Sequence, residues 1–139
     1  MYQSLIFILI LAFTTNLFAA TKLKTADDFF AESAKQRSST KDKISAITEL
    51  KKNLETTKAE YKKQNPNEAD KTEEAVSTLY YTLKPVFDLS KKKFSKTDCE
   101  QTEHEITSQD QIGKDVDAKP SREATEALAW VKTLCANSK

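Results

Sequence analysis

The stretch SREATEALAWVKTLCA, residues 121–136, carries the clearest periodic pattern in the chain. Ala124, Ala127, Leu128, Val131, Leu134 and Cys135 recur at intervals of three and four, with Trp130 beside them, so a helix of 3.6 residues per turn gathers them on one face. A strand would scatter them over both faces. The stretch is therefore predicted to be an amphipathic helix from about Ser121 to Ala136, and the rest of the chain is read against it.

Upstream, the same kind of pattern repeats. Thr25 with Asp28 three positions on reads as a helix start, the carboxylate lying where the helix dipole favours it, and turns Phe29 and Phe30 inward before fading near Arg37. From about Ser39 or Thr40 a second stripe runs through Ile44, Ile47, Leu50, Leu54 and Tyr61, with Lys51, Lys52, Glu55, Lys58 and Lys62 between them, and Asn65-Pro66 ends it. A third helix is expected after Asn67, capped with Asp70, and buries Val76, Leu79, Tyr80, Leu83 and Phe87. Pro85 falls inside that pattern and predicts a kink or break, with 86–94 as a separate short segment. A fourth helix is expected from Thr97, where Thr97 and Glu100 suit a capping box, with a thin apolar face of Cys99 and Ile106. The polar stretch 107–119 contains the chain's single glycine, Gly113, and reads as a mobile loop. The fold class is thus all-α, a small bundle of four or five helices.

The two cysteines, Cys99 and Cys135, sit near the start of the fourth helix and the end of the fifth. In antiparallel neighbours those ends meet, so a Cys99–Cys135 disulfide is expected, with free thiols or an intermolecular link as the alternatives. The N-terminus agrees with an oxidising destination. Leu5 to Leu11 is an unbroken apolar run, no charge precedes Lys22, and Ala19 and Ala20 offer small residues for cleavage, so residues 1–19 read as a secretory signal peptide and 20–139 as one domain. An uncleaved anchor helix is the rival, and the run is short for it. The expected destination is extracellular, or periplasmic for a bacterial source. No integral span is expected in the mature chain.

Without the leader, charged residues outnumber apolar ones, yet the formal charge stays at +1. That balance argues against nucleic acid as the main partner, because phosphate neutralisation supplies most non-specific affinity. Catalysis is not expected either: His104 is the sole histidine and no Gly-x-Ser-x-Gly elbow or phosphate-cradling loop occurs. His104 also lacks the spacing of known metal sites, since Gln101 stands where a Glu-x-x-His motif needs glutamate. No metal or cofactor is expected.

Two groups remain as candidate contacts. Lys84, Lys91, Lys92, Lys93 and Lys96 gather beside aromatic residues and suit an anionic membrane surface, a sulfated glycan or an acidic partner, unless the acidic stretch from Asp98 to Asp117 neutralises them within the molecule. Phe29, Phe30, Tyr80, Phe87 and Trp130 suit a fatty acid or similar apolar ligand, unless they simply form the core. The reading that follows is a secreted, non-enzymatic protein that binds another macromolecule, most plainly a protein, with an apolar-ligand carrier as the alternative.

Overall fold

A helix start is fixed where a side chain takes up backbone N–H groups that have no partner inside the helix. The computed structural model describes residues 25–39, 41–64 and 71–136, and the expectations for the leader, Asn65-Pro66, and the Asn67 and Asp70 cap lie outside them. Five helices make up the described chain: α1 (Ala26–Ser38), α2 (Lys43–Gln64), α3 (Lys71–Leu89), α4 (Lys96–Gln111) and α5 (Arg122–Cys135). Thr25 caps α1 through a reciprocal capping box with Asp28, and Ser121 caps α5 by accepting from the Ala124 N–H.

Four local expectations need correction. Helix α2 does not begin at Ser39 or Thr40: Ser39 closes α1 in extended backbone, and Asp42 caps α2 by accepting from the Ile44 and Ser45 N–H groups, each at 3.3 Å. Helix α4 is capped by Ser95 rather than Thr97, because Asp98 is the residue that reaches back, its carboxylate accepting from the Ser95 N–H at 2.8 Å. The same helix runs on to Gln111, so 107–111 is helical and the irregular stretch starts at Ile112. Pro85 neither breaks α3 nor begins a new segment: the helix continues to Leu89. An interior proline costs about 3 kcal/mol, but Pro85, Val86, Phe87 and Leu89 are all buried, and three such apolar side chains contribute roughly 1.5–3 kcal/mol each.

The core is one contiguous cluster. Phe29 and Phe30 from α1, Ile47, Leu50 and Leu54 from α2, Val76, Leu79, Leu83, Val86 and Phe87 from α3, and Ala124, Ala127, Trp130, Val131 and Leu134 from α5 meet in it. Helices α3 and α5 each pack against all four others, whereas α2 and α4 lie on opposite flanks. Helix α4 contributes least, burying only Cys99, Thr102 and Ile106.

What α4 lacks in apolar face the disulfide supplies. Cys99 and Cys135 are bonded across a sequence separation of 36 residues. On the chain-entropy description, closing such a loop stabilises by about 4 kcal/mol, more than the roughly 1.5–3 kcal/mol from burying Ile106.

The indole of Trp130 is fully buried, and its N–H needs an acceptor there. Ser33 supplies it: Trp130 Nε1 donates to Ser33 Oγ at 2.8 Å, and Ser33 Oγ donates to Glu126 Oε1 at 2.7 Å. Arg37 completes the chain through two bonds of 3.2 Å to the Glu126 carboxylate. Replacing Ser33 by Ala should strip both neighbours of a partner and destabilise by about 1–3 kcal/mol, seen as a lower urea midpoint with an unchanged m-value. A midpoint unmoved by Ser33→Ala would show that the network is structurally idle.

Candidate functional site

The aromatic residues chosen as apolar-ligand contacts do not share a surface. Phe29 and Trp130 are at 0% exposure, Phe87 at 2% and Phe30 at 8%, all within the same packed cluster. Tyr80 alone reaches solvent, and it packs against Phe87 with ring centroids 5.5 Å apart. An open groove of about 510 Å3 between α1 and α5 is lined by Phe30, Ala31, Ala34 and Thr125 together with Asp27, Arg122 and Glu126. Its charges are already engaged: Arg122 pairs with Asp27 and lies over the Phe30 ring at 4.0 Å, while Glu126 is held by Arg37.

The lysine cluster is brought together, and mostly neutralised, by its neighbours. Asp88 takes Lys84 at 3.0 Å and Lys91 at 2.8 Å; Lys92 meets Asp98 at 2.5 Å; Lys96 meets Glu100 at 3.8 Å. Lys93 forms no ion pair among the described residues. The hydrogen bonds from Lys91 and Lys84 hold the Asp88 carboxyl below its ordinary value. Asp98 is lowered further, first by Lys92 and then by the Ser95 backbone and hydroxyl.

The feature that stands out from the surface is one that sequence spacing points to only in part. Tyr81 is 57% exposed, next to Tyr80 and with the two rings nearly perpendicular, at 81° and 5.5 Å between centroids. Lys58, from α2, places its ammonium 4.4 Å from the Tyr81 ring centroid and 5.5 Å from that of Tyr80, and donates to the Tyr81 hydroxyl at 3.1 Å. Glu55 accepts from the Tyr80 hydroxyl at 3.0 Å and pairs with Lys51. Burial, and then the bond to Glu55, push the Tyr80 hydroxyl above its ordinary value, so it stays protonated as the donor. Tyr81 was detectable as an aromatic residue one position off the buried stripe of α3. Lys58 and Glu55 were not, because nothing in the sequence says which turn of α2 faces Tyr81.

His104 lies exposed on α4, with Nδ1 3.3 Å from Ser108 Oγ. Among the described residues no group of three or more His, Cys, Asp or Glu is placed to hold a metal ion, and no helix is long and apolar enough to cross a membrane. The chain matches no family model, no curated protein and no solved structure, so function is argued from its own residues.

The paired lysines predict a specific acid response. A carboxyl held below its ordinary value of 3.8 in the folded chain stabilises fully above that value and loses the contribution as pH falls through the lower folded one. Asp98→Asn should therefore lower stability at pH 7, and its deficit against the wild type should shrink as pH drops below 3.8, tracked by urea unfolding from pH 7 to 2. A deficit constant over that range would mean that Lys92 and Ser95 do not act through the ionised form.

Proposed function

We propose that the protein is a secreted, non-enzymatic helical bundle that acts by binding another macromolecule, with Tyr81 at the centre of the contact surface. The observation that carries this reading is the state of Tyr81: a large ring left in water yet fixed in place by Lys58 and Tyr80. A residue ordered before contact loses little conformational freedom on binding, and tyrosine flanked by a cation is the kind of side chain that dominates interface energetics. Lys84, one turn along α3 from Tyr81 and paired with Asp88, adds charge beside this surface and suits an acidic partner as a source of orientation more than of affinity, since its charge is largely satisfied.

The apolar run before Lys22 and the disulfide both support export. The carrier reading draws less support, because four of its five aromatic residues serve as packing.

The test compares wild type and Tyr81→Ala, each oxidised and confirmed folded by circular dichroism, as bait in the fluid into which the source secretes the protein. Partners crosslinked to the wild type are identified by mass spectrometry, then measured as purified proteins for affinity. Loss of a hot-spot tyrosine should weaken the contact by about 2 kcal/mol, roughly 30-fold, while Lys93→Ala should change it little. Equal affinity of wild type and Tyr81→Ala for every captured partner would defeat the proposal.

A further inference from the structure

Helix α4 differs from the other four in what holds it. Its buried side chains are Cys99, Thr102 and Ile106, and its outward positions, among them Gln101, His104, Glu105 and Ser108, are exposed and polar. Its polar ties run along the chain: Ser95 and Lys92 to Asp98, Lys96 to Glu100, and Asp110 to Lys114 and to the Ser121 N–H at 3.0 Å. The ties in its first turn and the one to Lys114 would move with the helix, whereas the Asp110 bond to Ser121, the cap of α5, lies at the pivot of a swing on the 112–121 segment. The remaining helices form a complete core among themselves, with α3 and α5 in direct contact and each touching α1 and α2. On one side, α4 covers them.

We propose that α4 is a hinged cover latched by the Cys99–Cys135 disulfide, and that reduction of this bond by a dithiol frees α4 from α3 and α5 while the other four helices stay packed. The chemistry favours one direction of attack. Cys99 is 5% exposed, whereas Cys135, the last residue of α5, is half-buried, so the incoming thiolate meets the Cys135 sulfur. Cys99 then leaves as a thiolate near the start of α4 and takes a proton from solvent. The second thiol of the reagent displaces Cys135 and closes the reagent's own disulfide. Two electrons and two protons pass from the dithiol to the protein, leaving both cysteines as thiols.

Opening uncovers the side of α3 and α5 beneath α4, converting a buried apolar strip into an accessible one. It lies apart from the Tyr81 surface, which is built by α2 and α3. The latch is thus independent of the proposed partner contact.

Hydrogen exchange read by mass spectrometry on the full oxidised chain, before and after adding dithiothreitol at neutral pH, tests the latch. Amides of 99–111 should exchange about 100-fold faster after reduction, while those of 47–60, 79–89 and 127–134 change by less than about fivefold; binding of an apolar dye should rise in step. Oxidised Ile106→Ala should keep α4 protected to within about fivefold, since the bond rather than the side chain secures it. The double variant Cys99→Ala/Cys135→Ala should match the reduced wild type. Three results would overturn the proposal: α4 protection unchanged by reduction, protection lost in α3 and α5 together with α4, or oxidised Ile106→Ala exchanging as fast as the reduced chain.

Discussion

The burial of Trp130 is the condition on which the arrangement of α1 and α5 depends. Its ring sits at 0% exposure, and an indole N–H left unpartnered at that depth would cost about 1–3 kcal/mol. Ser33 removes that penalty only if α1 lies at one distance and one rotation relative to α5, since a hydroxyl 2.8 Å from the indole must also reach Glu126. Apolar packing alone tolerates sliding and rotation. A three-member polar chain closed by Arg37 does not, and it converts a merely greasy contact between helices into a defined one. The site is also fully satisfied, in keeping with the described chain, where no buried side-chain nitrogen or oxygen lacks a partner.

A second consequence of a polar sequence is unequal distribution of the core. Apolar side chains are concentrated on α3 and α5, which is why these two helices touch everything else and why α3 can continue through Pro85. Helix α4 is left with one large aliphatic residue, Ile106, and so depends on a covalent bond for its place. The disulfide is therefore local in its structural meaning: it secures the element that the hydrophobic effect serves least.

These inequalities also explain which parts of the structure were legible in the sequence. The α5 stripe, the Thr25 and Asp28 cap and the Cys99–Cys135 pairing all follow from spacing along one helix or from the ends of two neighbours, and spacing is what a sequence displays. The starts of α2 and α4 were misplaced by a few residues because several Ser, Thr and Asp stand close together there. Which of them caps depends on which carboxylate completes a bond, and that is a matter of geometry. Pro85 stays inside α3 against its local propensity because Val86, Phe87 and Leu89 around it are buried. The five chosen lysines are indeed adjacent, but pairing with Asp88, Asp98 and Glu100 is a property of the folded turn. The aromatic residues divide for a similar reason: the helical period that marks Phe29, Phe87 and Trp130 as conspicuous is the same period that buries them, while Tyr81, outside the stripe, is the one left facing water.

That division bears on where function can reside. A chain with few apolar residues uses nearly all of them for cohesion, and an apolar side chain withheld from the core lowers a stability that is small to begin with. Of the large apolar and aromatic side chains left more than half exposed in the described chain, Ile112 and Val116 occupy the irregular segment after α4, and Tyr81 is the one carried on a helix. Leaving a tyrosine outside is not costly in itself, because its hydroxyl is hydrated. Fixing it there is another matter, since Lys58 surrenders side-chain freedom and part of its hydration to sit above the ring. Such an expense contributes little to the fold, as cation–π pairs at exposed positions are worth only about 0.5–1 kcal/mol. It has a physical return once a partner covers the ring: water is then excluded, the same interaction strengthens, and the ordering has already been met.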